Sequence, residues 1–159
     1  MRAIILAVVR ILIGIFFLWV GVSMLLDQNL LYGGLIHKLN ETGGPVEHYR
    51  TLFLRYTEFR ETKVVYLVAV CSILAGVSYL AGLLVSLSSL GAALLVLNAG
   101  LASSSGNRAR LAAHVAAALL LLLLGCMGAG LKWGLDGWLI RYFKDWLVLF
   151  PLRWRAPKG

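Results

Sequence analysis

From Val64 to Ala102 the chain runs thirty-nine residues without one charged side chain. At a helical rise of about 1.5 Å per residue this is nearly twice what a bilayer core of roughly 30 Å requires. The stretch therefore predicts two membrane-spanning helices, 64–84 and 87–102, with a tight turn near Leu84–Ser89. The apolar run from Ala3 to Leu26 predicts an earlier span, and the Ala/Leu-rich run from Leu111 to Leu131 a fourth. The first run is too long for a secretory signal, Arg10 interrupts it, and no small-x-small cleavage site follows. The pattern is that of an all-α, integral membrane four-helix bundle in a single domain, 1–159.

Between the first two spans, Asp27 to Lys63 carries five basic and five acidic residues. Tyr49, Leu52, Phe53 and Tyr56 fall at i, i+3, i+4 and i+7, with Glu47, Arg50, Arg55 and Glu58 at other positions. This predicts an amphipathic helix over about 46–60, lying on the membrane surface or on a partner. Glu47/Arg50 and Arg55/Glu58 are spaced to pair at i, i+3. Gly33-Gly34 and Gly43-Gly44-Pro45 punctuate the segment and leave room for a short helix around Leu35–Leu39.

In the tail, Trp138, Tyr142 and Trp146 step by four, as do Leu135, Leu139, Phe143 and Leu147. The spacing predicts an interfacial helix over 133–149, anchored by Trp133, Trp138, Tyr142 and Trp146 and closed by Pro151. In the fourth span, Ala112/Ala116 and Ala113/Ala117 offer small-xxx-small faces for close helix packing, as do Gly125 and Gly128.

Composition agrees with this picture. Apolar residues make up 60% of the chain and charged ones 14%, well below the ~25% of soluble domains. The net charge of +8 sits in loops and tail, which points to anionic lipid headgroups or acidic partner surfaces, not nucleic acid. Cys71 and Cys126 lie in apolar runs without a CxxC or a ligand cluster, so no redox pair and no metal site is expected. Four spans put both termini on one side, with eight basic residues against seven on the other. Most of the former lie close to helix ends, and the opposite loop is neutralised by its own acids, so both termini are expected to be cytoplasmic.

Polar groups at bilayer depth are the candidates for function. Arg10 lies about two turns inside the first span, where its guanidinium either snorkels to the interface or joins an internal pair. His114, the one histidine in a span, is expected at the same depth as Asn98. It makes either a helix–helix hydrogen bond, or an axial ligand to a tetrapyrrole or a hydrogen bond to a quinone carbonyl. Ser72, Ser78, Ser86, Ser88 and Ser89 can bond their own helix backbones. Between Asp27 and Asp136, carboxylates occur only in the long loop, so no carboxylate proton path crosses the membrane. Dinucleotide, P-loop and Ser/His/Asp signatures do not occur.

Arg10-x3-Gly14-x-Phe16-Phe-Leu-Trp19-x-Gly21, ending at Asp27, resembles the first span of the DoxX/DoxD family. The likeness continues through His48-Tyr49-Arg50-x-x-Phe53-Leu54, Gly76-x5-Gly82 and Leu97-Asn98-x-Gly100-Leu101-Ala102. It ends at Gly128-x-Gly130-x3-Gly134-Leu135-Asp136-x-Trp138-Leu139. The resemblance implies a small four-helix membrane protein akin to the membrane subunit of thiosulfate:quinone oxidoreductase. Three ionisable positions of the family are neutral in this chain: Ser72 stands where many members have glutamate, Val85-Ser86 where Thr-Arg is frequent, and Met24 where lysine is common. Glycines, aromatics, Asn98, Arg10 and Asp136 remain, and Arg10 and Asp136 are expected to pair at the cytoplasmic face.

These features lead to the expectation of a non-catalytic accessory subunit in a larger electron-transfer complex of a bacterial inner membrane, respiratory or photosynthetic. It would pack against larger subunits and lipid, with His114 and Asn98 facing a quinone or a tetrapyrrole shared with a partner. The alternatives are the quinone-facing subunit of a thiosulfate:quinone-type oxidoreductase and, with less support, a small transporter.

Overall fold

The computed structural model describes residues 2–37, 47–57, 60–103, 107–127, 130 and 134–142. The first helix, α1, runs Arg2–Leu26 and is followed by a π-helical turn at Leu30–Gly34. Next come α2 (Glu47–Thr57), α3 (Glu61–Ala81), α4 (Val85–Ser103), α5 (Arg108–Cys126) and α6 (Leu135–Tyr142). No strand occurs among the described residues. Four segments are long and apolar enough to cross a bilayer: Ile4–Leu26, Glu61–Ala81, Val85–Ser103 and Arg108–Cys126. The chain is an all-α membrane protein built on these four helices.

The helices associate as two tight pairs, α1 with α3 and α4 with α5, joined face to face. Glycine makes the first pair possible. A Cβ on Gly76 would stand 2.8 Å from the Leu18 nitrogen and 2.9 Å from the Gly14 oxygen, and one on Gly21 would stand 2.8 Å from the Ala69 oxygen. Backbones this close gain dispersion contacts that lipid cannot replace, which is the main attraction available between apolar helices in a membrane. In the second pair, Gly125 receives Ser89, whose Cβ would lie 2.7 Å from an added methyl. Between the pairs lies a core of Phe17, Ala75, Tyr79, Val85, Ala92, Ala93, Ala118, Leu121 and Leu124.

Three expectations are corrected here. The turn between α3 and α4 is Gly82–Leu84, not Leu84–Ser89. Gly82 closes α3 in the left-handed conformation (φ 66°), its N–H bonded to the Ser78 carbonyl, and Leu84 follows at φ 55°. The fourth span ends at Cys126, five residues before Leu131. The small-residue faces of α5 divide: Gly125 is buried against Ser89 as expected, whereas Ala112, Ala113 and Ala116 are exposed, Ala117 is half-buried and Gly128 lies outside the described residues.

At the opposite end of the bundle from Arg10, short polar contacts tie the first connection to α3. Glu61 Oε1 accepts the Ile36 N–H at 2.9 Å and Thr62 Oγ1 donates to the Leu31 carbonyl at 2.9 Å. Asp27 Oδ1 accepts the Leu30 N–H at 3.2 Å. Helical backbone continues from the π-helical turn as far as His37, and residues 38–46 lie outside the described set. In α2, Tyr49 and Phe53 stack with ring centroids 6.3 Å apart, whereas Leu52 and Tyr56 are exposed. The Glu47/Arg50 and Arg55/Glu58 pairs involve side chains outside the described residues.

Candidate functional site

The densest polar arrangement sits where α1 begins, at the Gly82–Leu84 turn. Arg10 and Asp136 are each only 2% exposed. Asp136 is the second residue of α6, and its carboxylate reaches the start of α4. Oδ1 accepts the Leu84 N–H at 2.7 Å and Oδ2 the Val85 N–H at 3.1 Å. The first N–H groups of any helix lack partners within it, so the carboxylate supplies what α4 needs and meets its positive dipole end. Asp136 also donates its own N–H to the Gly82 carbonyl at 2.9 Å.

Arg10 enters the same knot from α1. A Cβ on Gly82 would stand 2.9 Å from the Arg10 Cζ, and one on Gly134 would stand 2.6 Å from Nη1 and 2.9 Å from the Gly82 oxygen. Gly130 lies against the Asp136 carboxylate in the same way. Three glycines thus let two backbone segments close around a guanidinium and a carboxylate that attract each other. Burial pushes the Asp136 carboxyl above the ordinary value of 3.8; the Leu84 and Val85 N–H groups, then Arg10, oppose that shift.

A second layer of polar contacts lies deeper. Tyr79 is fully buried, stacks on Phe17 at 6.2 Å and donates its hydroxyl to Ser89 Oγ at 2.9 Å. Ser88 donates to Ser78, and Ser78 donates to the Leu83 carbonyl. Ser86 donates to the Gly125 carbonyl at 3.1 Å, which links α4 to α5. Ser72 is buried and donates to the Val68 carbonyl of its own helix at 2.8 Å. The Tyr79–Ser89, Ser88–Ser78 and Ser86–Gly125 bonds tie helices together, whereas Ser72 bonds only within its own helix.

Of the residues singled out by sequence, Arg10 and Asp136 are brought together. His114 and Asn98 are not. His114 packs its Cβ and ring over Gly100 and donates Nδ1–H to the Arg110 carbonyl at 2.8 Å. Asn98 stands two residues before Gly100, about 200° around the helix, and is exposed. Equal depth does not imply a shared face. Trp138 is exposed, while Trp133, Trp146 and the Tyr142 side chain lie outside the described residues. No group of three potential metal ligands occurs among the described residues.

The Tyr79–Ser89 bond is a contact that sequence reasoning missed. Its signal was present: Ser78/Ser88 and Tyr79/Ser89 are both separated by ten residues and straddle one turn. No protein-family model, curated protein or solved structure matches this chain.

Proposed function

We propose that the chain is a non-catalytic, DoxX-like accessory subunit of a larger electron-transfer complex, respiratory or photosynthetic, in a bacterial cytoplasmic membrane, with both termini cytoplasmic. The fate of the three departures from the family pattern supports this reading. Ser72, in place of glutamate, is bonded within its own helix. Val85 is a buried core residue and Ser86 a bridge to Gly125. Met24 packs against the cluster of Leu30, Leu31 and Val65. Proton or anion chemistry would need a charge at these positions, and packing contacts occupy all three.

The exposed faces of the spans then meet lipid and larger subunits. His114 is the residue through which a partner's cofactor would be sensed. Its Nδ1 is engaged by the Arg110 carbonyl, so Nε2 is the ring nitrogen left to reach a tetrapyrrole or a quinone.

Purification in mild detergent through a C-terminal tag, with mass spectrometry and a visible spectrum of the same fraction, tests the proposal. Stoichiometric redox or pigment-binding subunits are expected, with an absorption band altered by His114→Leu if the imidazole is a ligand. Recovery with only a small soluble sulfur-metabolising partner would instead identify the quinone-facing subunit of a thiosulfate:quinone-type oxidoreductase.

A further inference from the structure

Gly91 differs from the other glycines of the spans. A Cβ on Gly14, Gly21, Gly76, Gly100 or Gly125 would press into a neighbouring helix, whereas one on Gly91 would meet nothing within 4 Å. Gly91 therefore contributes no packing inside this chain. It lies on an exposed stripe of α4 with Leu87, Leu90, Leu94 and Asn98. At roughly 100° per residue these five positions fall within an arc of about 100°, and Leu87/Leu94 and Gly91/Asn98 are each seven apart.

Asn98 makes this stripe different from an ordinary lipid-facing surface. It stands about 7.5 Å inside the end of α4, and its exposed carboxamide forms no hydrogen bond with any described residue. Hydrocarbon offers neither donors nor acceptors, so a carboxamide left there carries a desolvation penalty that a partner removes. The nearest way to satisfy it is another carboxamide, which both donates and accepts.

We propose that this stripe of α4 is a self-association face that pairs with the same stripe of a second copy of the chain. Two copies inserted with one topology present α4 in parallel, so a two-fold axis along the membrane normal sets each residue opposite itself at equal depth. Asn98 then meets Asn98, Leu94 meets Leu94, and Gly91 lets the two backbones approach. The seven-residue spacing keeps these positions on the seam of a left-handed crossing. This inference does not depend on the identity of any electron-transfer partner.

The test is oxidative crosslinking in membranes, in a background in which Cys71 and Cys126, the two free cysteines, are replaced by alanine. Leu94→Cys, and one heptad away Leu87→Cys, are expected to give a disulfide-linked dimer of two differently tagged copies. Leu12→Cys on α1 and Leu120→Cys on α5, both lipid-exposed, are expected to give none. Adding Asn98→Leu to Leu94→Cys is expected to lower the dimer fraction about threefold, the size of one average interhelical hydrogen bond in a membrane. Equal yields at all four positions would overturn the proposal. So would linkage of Leu94→Cys to a different protein, or a dimer fraction indifferent to Asn98→Leu in variants that keep the melting temperature of the cysteine-free parent.

Discussion

Asp136 Oδ1 accepts the Leu84 N–H at 2.7 Å, so a carboxylate that follows the last span caps the start of the span before it. Capping residues ordinarily come from the residue just before the helix. Here that place is taken by Leu84 at φ 55°, which has no side-chain oxygen to offer. The cap has moved to a distant segment, and the fold of the tail has become a condition for the fold of the hairpin.

Asp136→Ala leaves the Leu84 and Val85 N–H groups without their acceptor and is expected to destabilise the protein by about 1–3 kcal/mol. Asp136→Asn keeps one acceptor and is expected to cost less. Arg10→Met strands a buried carboxylate and is expected to cost about 3 kcal/mol, while the double variant costs less than the sum. Thermal unfolding in one detergent at fixed pH gives all four values; unchanged melting temperatures for Arg10→Met and Asp136→Asn would show that the two charges are not coupled.

A pH dependence follows from the burial of Asp136. Its carboxyl holds a proton to higher pH in the fold than in the unfolded chain. Protonation therefore favours the folded state, fully below the ordinary carboxylate value, and this contribution is lost as pH rises through the folded value. Melting temperatures measured across the acidic range are expected to fall with rising pH in the wild type relative to Asp136→Asn, in which this titration is absent.

Two glycine substitutions separate packing from open surface. Gly76→Ala drives a methyl into the Leu18 and Gly14 backbones of α1 and is expected to cost about 1–3 kcal/mol through overpacking. Gly91→Ala meets nothing and is expected to leave the stability of the detergent-solubilised monomer within about 0.5 kcal/mol of wild type. Parallel melts of the two variants make the comparison.

Tyr79→Phe removes the hydroxyl bonded to Ser89 and keeps the ring stacked on Phe17. It is expected to cost about 0.6 kcal/mol. Adding Ser89→Ala is expected to add little, because both changes delete one bond. A double-mutant cycle that gave full additivity would place the two hydroxyls in separate interactions.

The four spans were legible because hydrocarbon length and the absence of charge act on whole segments, and 64–102 satisfies both. The turn was not. The serines at 86, 88 and 89 read as loop residues, yet each finds a hydroxyl or carbonyl partner, so α4 begins at Val85, before them. Arg10 and Asp136 could be matched from topology, since both belong to one end of the bundle. Asn98 and His114 were matched by depth alone, and azimuth separates them: Gly100, not Asn98, faces the imidazole. Helical rise is a property of sequence number, whereas rotation about the axis depends on which neighbour a helix chooses.

The remote cap also imposes an order on biosynthesis. Asp136 leaves the ribosome 52 residues after Leu84, which at about 5–20 residues per second is a delay of roughly 3–10 s. Throughout that interval the α3–α4 hairpin stands in the translocon or the bilayer with its leading amides uncapped and Arg10 awaiting its counter-ion. The hairpin receives its cap only after the last span has been made, so a chain stopped before Asp136 would hold the Leu84 and Val85 amides without their carboxylate.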